Sequence, residues 1–243
     1  MGADVSATDG QGNTALHLLV APHKYGNPPS AGGTLSMMIS KCPSTTINQT
    51  NQQGNSPLQL AARKHQWEAA RLLLNAGADP LIPDSDRNSL LHHLAECLRQ
   101  PDEKPRFRTS DPEEDLWPEF SGLLQRGLAI NASNKEGETP IFHYVRALRS
   151  QPSLRGTLMD CLLAAGADVS ILNNEGQSLL HVVAKIPVPQ DRFGVLPKKL
   201  FVEAFTYLME LGLDPQHEDN KERTPVDIAA AYAHKDILAL FKK

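Results

Sequence analysis

The sequence has few of the features that mark secreted or membrane proteins. Among its 243 residues there are three cysteines, Cys42, Cys97 and Cys161. They are far apart and odd in number, so we expect a reducing compartment rather than a disulfide framework. No apolar run approaches the roughly 18 residues that cross a bilayer. The first residues also lack a basic segment followed by an apolar one. We therefore expect a cytoplasmic or nuclear protein with no membrane partner.

An excess of charge of one sign is also lacking. The formal net charge is -4, so we expect no direct binding to nucleic acid. The sequence contains no glycine-rich phosphate loop, no nucleophile elbow and no H-E-x-x-H motif, the arrangements that common enzyme classes require. We predict no catalytic residues, no metal site and no cofactor.

What the sequence does contain is an internal repeat of nine residues. Its copies begin at Asp9, Asn51, Asp84, Asn134, Asn173 and Asp219 and read DGQGNTALH, NQQGNSPLQ, DSDRNSLLH, NKEGETPIF, NNEGQSLLH and DNKERTPVD. The first position is always Asp or Asn, the sixth always carries a hydroxyl, and the eighth is always apolar. Agreement of all copies at three positions indicates a repeated structural unit.

Each position of the repeat has a physical interpretation. An Asp or Asn side chain accepts backbone N–H bonds in a tight turn, and glycine at the fourth position supplies a positive φ. The hydroxyl caps a helix, which Pro57, Pro140 and Pro225 begin at a position that needs no backbone N–H. Glycines that fit left-handed caps of a second helix precede the turns by seven residues: Gly2, Gly77, Gly127, Gly166 and Gly212. The junction before Asn51 carries no such glycine.

This order of turn, helix, loop, helix and "GAD" resembles the ankyrin repeat over essentially the whole chain. The resemblance implies an all-α solenoid of antiparallel helix pairs, in which hairpin-like turns and first helices line a concave surface. We expect a single domain, 1–243, with repeats starting near 9, 51, 84, 134, 173 and 219. The uneven spacing of these starts predicts long insertions between helices near 22–33, 99–115, 150–156 and 186–197.

The tryptophans and the chain ends follow from the same alignment. Trp67 and Trp117 each stand ten residues before a cap glycine, so we expect each to begin a second helix and to pack in the core. The chain opens on "GAD", the end of a repeat, and closes on "DILALFKK" within a second helix. Because a solenoid needs capping repeats, we expect the chain to be cut from a longer protein.

Histidine recurs at two neighbouring positions of the repeat. The ninth position holds His17, His92 and His181, and the resemblance implies that this histidine forms hydrogen bonds within and between repeats. Other residue types fill that position in the remaining repeats, which excludes a shared catalytic role. The tenth position holds His93 and His143. Without further ligands at a suitable spacing, a metal site or a pH switch there is the less favoured interpretation.

In the ankyrin family, partners are usually bound by turn positions two, three and five and by first-helix positions thirteen and fourteen. The resemblance transfers that role to Gln52, Gln53, Asn55, Arg63, Lys64, Asp86, Asn88, Lys135, Glu136, Glu138, Arg146, Asn174, Glu175 and Gln177. The three glutamates make one acidic stretch beside the basic Arg63, Lys64 and Arg146. This set favours a protein or peptide partner with both charges and few apolar anchors. We expect the isolated domain to be monomeric.

Two other functions remain open at this point. The acidic tips suit a basic histone-like tail, so the alternative is a chromatin or histone-tail reader module of a nuclear regulatory protein. An enzyme would have to place its site in the long insertions, where no nucleophile–base pair or metal constellation is evident. We therefore favour a non-enzymatic protein-interaction module, whose scaffold defines a surface without naming its ligand.

Overall fold

The structure is a computed structural model that describes residues 4–20, 31–97, 117–150, 157–187 and 199–242. Over these ranges the fold is all-α, as predicted, and the β structure is limited to an isolated bridge between Thr8 and Thr14. The predicted insertion 99–115, and most of 22–33, 150–156 and 186–197, lie outside the described residues. Within the described parts, no helix combines the length and the apolar character needed to cross a bilayer.

The helices occur where the repeat pattern predicts them. They are α1 (Ala15–Leu19), α2 (Ala31–Ile39), α3 (Ser44–Ile47), α4 (Pro57–Arg63), α5 (Trp67–Asn75), α6 (Leu90–Cys97), α7 (Trp117–Gln125), α8 (Pro140–Arg146), α9 (Thr157–Ala164), α10 (Leu179–Lys185), α11 (Lys199–Glu210), α12 (Pro225–Ala231) and α13 (Lys235–Ala239). A 3-10 turn, Ala147–Ser150, continues α8. The second helices α5 and α7 begin at the two tryptophans, which confirms that part of the alignment.

The chain forms two compact units, a first unit, Met1–Leu94, and a second unit, Ala95–Lys243. In the first unit α5 packs against α4 and α2, and α1 packs against α2 and α4. The side chains of Leu16, Leu58 and Leu73 are completely or almost completely buried there. Burial of one such side chain stabilises the fold by about 1.5–3 kcal/mol. Trp67 is half-buried at the start of α5.

The second unit is built around α10, which packs against α8, α11 and α12, while α13 packs against α11 and α12. Its largest buried side chains are aromatic and include Phe120, Phe142, Tyr144 and Phe205. Aromatic side chains bury a large apolar area each. This core holds the turns and first helices of the last three repeats in place.

A tight turn opens each repeat. In the turn at Asn51, the side-chain Oδ1 accepts the N–H groups of Gln53 at 3.0 Å and of Asn55 at 3.1 Å. The backbone N–H of Asn51 donates to the carbonyl of Asn55 at 3.0 Å. The same three bonds form in the turns that begin at Asp9, Asp84, Asn134, Asn173 and Asp219. The repeated Asp or Asn is therefore explained by the turn that it closes.

Consecutive turns within a unit are joined by backbone bonds. In the second unit the N–H of Asn174 donates to the carbonyl of Glu136 at 2.9 Å, and the N–H of Asn220 to the carbonyl of Glu175 at 2.9 Å. An equivalent bond joins the first two turns of the first unit. Backbone bonds at the tips therefore hold neighbouring turns in a fixed register.

Arg87 stands where four other turns have glycine, and its φ is +63°. The left-handed conformation costs a residue with a Cβ about 1–2 kcal/mol, and glycine avoids that cost at an entropic penalty of about 0.5–1 kcal/mol. We expect Arg87→Gly to raise the free energy of unfolding by about 0.5–1 kcal/mol in urea titrations. The neighbouring Asp86 has no positive φ, so Asp86→Gly should lower it; stabilisation by both variants would contradict the explanation.

Candidate interaction surface

The residues predicted to bind a partner divide into two groups by exposure. The exposed group consists of Gln52, Gln53, Arg63, Lys64, Asp86, Lys135, Glu136, Arg146, Asn174 and Glu175. The residues at turn position five form the other group: Asn55, Asn88, Glu138 and Gln177 are each at most 9% exposed. A partner that docks on the outside of the turns meets the first group and not the second.

In the second unit, the buried side chains at turn position five bond to neighbouring turns. In the second unit, the Gln177 amide donates to Oδ2 of Asp219, the first residue of the next turn, at 3.1 Å. The Asn173 amide donates to Oε1 of Glu138 in the preceding turn at 3.4 Å. Burial alone would raise the pKa of Asp219, but the bonds from Arg223 and Gln177 hold it well below its usual value. Position five thus links one turn to the next.

In repeats four and five, the residue at position thirteen is a base that contacts these turn residues. In repeat four the Arg146 guanidinium bonds the buried Glu138 carboxylate and lies 4.0 Å from Oε2 of Glu136. Burial raises the pKa of Glu138, and the Arg146 charge opposes that rise. The pair neutralises a carboxylate that is otherwise costly to bury.

Repeat five has the same arrangement with different residues. The Lys185 ammonium donates to Oε1 of Gln177 at 2.7 Å and lies 3.4 Å from Oε2 of Glu175. Lys221 in the following turn lies 3.7 Å from Oε1 of the same Glu175. The hydrogen bond from Lys185 lowers the pKa of Glu175. The acidic tips of the second unit are therefore paired with bases of their own unit.

The histidines at the ninth position tie consecutive repeats together. Nδ1 of His17 accepts the backbone N–H of Thr14 at 3.1 Å and its hydroxyl at 2.8 Å, so Nε2 carries the proton and donates to the Asn55 carbonyl at 2.9 Å. His181 makes the same bonds to Ser178 and to the Arg223 carbonyl. Burial lowers the pKa of both histidines, and their role is structural.

The histidines at the tenth position have carboxylate partners. Nε2 of His93 lies 3.0 Å from Oδ2 of the buried Asp84. Burial would raise the pKa of that carboxyl, but the bonds from His93 and Asn88 lower it to about 2. Nδ1 of His143 lies 2.7 Å from Oε1 of Glu96. Among the residues that the structure describes, no group of three or more His, Cys, Asp or Glu side chains is placed to hold a metal ion.

Paired helices joined by bonded turns define a helical-repeat protein. The family model of the ankyrin repeat matches residues 53–85, which begin in the turn of repeat two and continue through α4 and α5 to the turn of repeat three. The same turns, caps and helix pairs recur along the described chain. The chain therefore contains an ankyrin repeat at residues 53–85. Ankyrin repeats are in general protein–protein interaction modules.

Curated relatives share the repeat region at moderate identity. Neurogenic locus notch homolog protein 1 of Mus musculus is 29% identical over 180 residues, which cover 74% of this chain and 6% of that protein. A probable serine/threonine-protein kinase of Dictyostelium discoideum is 30% identical over 159 residues, covering 53% and 17%. An intracellular phospholipase A2 of Caenorhabditis elegans is 25% identical over 222 residues, covering 83% and 20%. The chain therefore spans a fifth or less of the length of each of these relatives.

Proposed function

We propose that this chain is a non-enzymatic interaction module that binds a protein or peptide partner through its exposed turn tips and first-helix ends. The observation that carries the proposal is the separation of roles within each repeat. The residues that close the turn are buried in repeats three to six. The predicted residues at positions two, three and thirteen, and Lys64 at position fourteen, instead expose polar side chains on a backbone held by the turn bonds. Such positions are free to vary with the partner without loss of the fold.

The proposed surface is narrower than the one that the sequence predicts. It comprises the exposed members of the predicted set: Gln52, Gln53, Arg63, Lys64 and Asp86 in the first unit, and Lys135, Glu136, Arg146, Asn174 and Glu175 in the second. We leave out the position-five residues, because they are buried. Each unit presents its own surface in this proposal.

The histone-tail alternative has no specific observation in its favour. In the second unit, Glu136 lies 4.0 Å from Arg146, and Glu175 lies 3.4 Å from Lys185 and 3.7 Å from Lys221. These bases lower the negative potential that a basic tail would meet. Binding of a basic tail stays a prediction from the sequence, and titration of the chain with histone-tail peptides tests it.

A peptide-display selection tests the proposed surface directly. Peptides that bind the folded chain are selected from a random library, and their affinities are measured for two alanine variants, one per unit. The first carries Gln52→Ala, Gln53→Ala, Arg63→Ala and Lys64→Ala; the second carries Lys135→Ala, Glu136→Ala and Glu175→Ala. We expect each peptide to lose about tenfold or more in affinity for one of the two.

The matched control changes exposed bases outside the predicted surface, with Lys41→Ala in the first unit and Lys235→Ala in the second. It should bind like the unaltered chain. Circular dichroism and the urea midpoint of every variant establish that its helices remain. If the selected peptides bind both surface variants as tightly as the control, the proposed surface is not the binding site.

A further inference from the structure

In repeats four and five, the base at position thirteen is paired with polar side chains from the turn of the same repeat. Arg146 contacts the carboxylates of turn positions three and five. Lys185 contacts the Glu175 carboxylate at position three and the Gln177 amide oxygen at position five. In both repeats the position-five residue stands eight residues before the base. The turn thus supplies the base with at least one carboxylate.

Repeat two lacks this internal complement. Its turn positions three and five are amides, Gln53 and Asn55, in place of carboxylates. Arg63, at position thirteen, and Lys64, at position fourteen, are exposed, and no described residue forms an ion pair with either. Two neighbouring positive charges at the end of α4 are therefore left without a counter-charge.

The Asn55 side chain shows independently that the internal pair is not formed in repeat two. It is 1% exposed, and neither its Oδ1 nor its Nδ2 has a hydrogen-bond partner in the structure. A buried polar group without a partner destabilises the fold. The equivalent Glu138 and Gln177 do bond the base eight residues later. In repeat two, both the base and the position-five side chain lack the bond that defines this pair.

We propose that the turn and the end of α4 in repeat two, through the exposed Gln52, Gln53, Arg63 and Lys64, bind an acidic segment of a protein partner. A partner carboxylate pairs with the exposed guanidinium of Arg63, which has no carboxylate in its own turn of the kind that Glu138 gives Arg146. Lys64 contacts a second acid of the same segment. The proposal rests on the proposed function and adds the sign of the partner's charge.

The neighbouring side chains agree with an anionic segment. Positions two and three of the turn are neutral amides, so they do not repel a carboxylate. The exposed predicted residues of the first unit carry two bases and a single acid, Asp86 in the next turn. Exposed pairs of this kind guide association and choose between partners more than they raise affinity, and salt weakens them.

The charge of the selected peptides is the first test. Among peptides that lose affinity for the first-unit alanine variant, we expect Asp and Glu to be enriched over the starting library. Arg63→Glu with Lys64→Glu should weaken these acidic peptides by about tenfold or more. Lys41→Glu with Arg126→Glu makes the same change in net charge at exposed sites and should leave them bound. A new selection on the Arg63→Glu, Lys64→Glu chain should yield basic peptides.

Asn55→Glu is the second test, because it builds the repeat-four pair into repeat two. The new carboxylate pairs with Arg63 as Glu138 pairs with Arg146, so acidic peptides should lose about tenfold in affinity while the chain stays folded. If Asn55→Glu disturbs the fold, the test uses Asn55→Gln, which reproduces the Gln177 side chain. The Arg63→Glu, Lys64→Glu variant is then measured beside it. Loss with Asn55→Glu and retention with the Lys41→Glu, Arg126→Glu control support the proposal.

Failure of this inference is distinct from failure of the proposed function. Peptides that need the first-unit surface but show no enrichment of Asp and Glu overturn the acidic partner and leave the interaction surface standing. Acidic peptides that bind the Arg63→Glu, Lys64→Glu chain with unchanged affinity lead to the same conclusion. A selection that yields no binding peptide, or only peptides indifferent to both alanine variants, overturns both.

Discussion

Gly137→Ala is expected to lower the free energy of unfolding by about 1.5–4 kcal/mol. Gly137 has a φ of +76°, which costs alanine about 0.5–1 kcal/mol once the entropic penalty of glycine is subtracted. A Cβ at this position would also lie 2.4 Å from Oδ1 and 2.7 Å from the backbone N of Asn174. Relief of that overlap moves two bonded turns apart, at a further cost of about 1–3 kcal/mol. Urea unfolding followed by circular dichroism measures the loss.

Gly166→Ala is the matched control, because it separates conformation from contact. Gly166 has a φ of +92°, and a Cβ there would meet no atom within 4 Å. Its substitution should cost about 0.5–1 kcal/mol, the net cost of the left-handed conformation alone. Equal losses in the two variants would show that close approach of the turns contributes nothing.

The second large effect is expected at His181. His181→Ala removes the acceptor of the Ser178 N–H and the donor to the Arg223 carbonyl, and it leaves a cavity in a position that is fully buried. Lost hydrogen bonds and cavity together should lower the free energy of unfolding by about 2–4 kcal/mol. His181→Gln should cost less, because Gln59 fills the same position in repeat two and its amide donates to the Ile82 carbonyl.

The same histidine predicts how stability depends on pH. Burial lowers the pKa of His181 below its ordinary value of 6.5, so the unfolded chain takes up a proton at a higher pH than the folded one. The stabilisation is complete above the ordinary pKa and is lost as the pH falls through the folded pKa. His17 and His234 shift in the same direction, again mainly through burial.

The free energy of unfolding should therefore decrease as the pH is lowered from about 7.5 to about 5.5. The decrease should be smaller in His181→Gln, which has no proton to gain at that position. The depressed pKa of Asp84, about 2, acts below this window, where protonation of the folded carboxylate removes its stabilisation. Identical pH profiles for the unaltered chain and His181→Gln would show that His181 is not a source of the dependence.

The features that could be predicted from the sequence are those held by local bonds. The side chain of Asn51 closes its turn by bonds two and four residues away, and Ser56 caps α4 by accepting the N–H three residues later. Such bonds require a residue type at a fixed spacing, so they leave a pattern in the sequence. The starts of α5 and α7 at Trp67 and Trp117 follow from the same spacing.

The remaining features depend on contacts between distant residues. Gln177 is buried because it bonds Asp219, 42 residues later, and the nine-residue motif carries no trace of that contact. The internal pairing of Arg146 with Glu138 was also missed. A Glu or Gln followed eight residues later by a base, seen again in Gln177 and Lys185, is the signal that identifies it. The end of the last helix of the first repeat could not be predicted either, because no cap glycine marks it. That helix, α3, ends at Ile47, one residue before Asn48.

The bond from His17 to the Asn55 carbonyl has a consequence for how such surfaces change in evolution and engineering. The backbone of the repeat-two turn, whose residues we propose to bind a partner, is held by a side chain of repeat one, just as His181 holds the turn of repeat six. A single repeat moved into another protein lacks the hydrogen bond from the preceding repeat that positions its turn. The smallest unit that can be transferred with this bond intact is therefore a pair of adjacent repeats. The first repeat supplies the histidine, and the second contains the turn to which it donates.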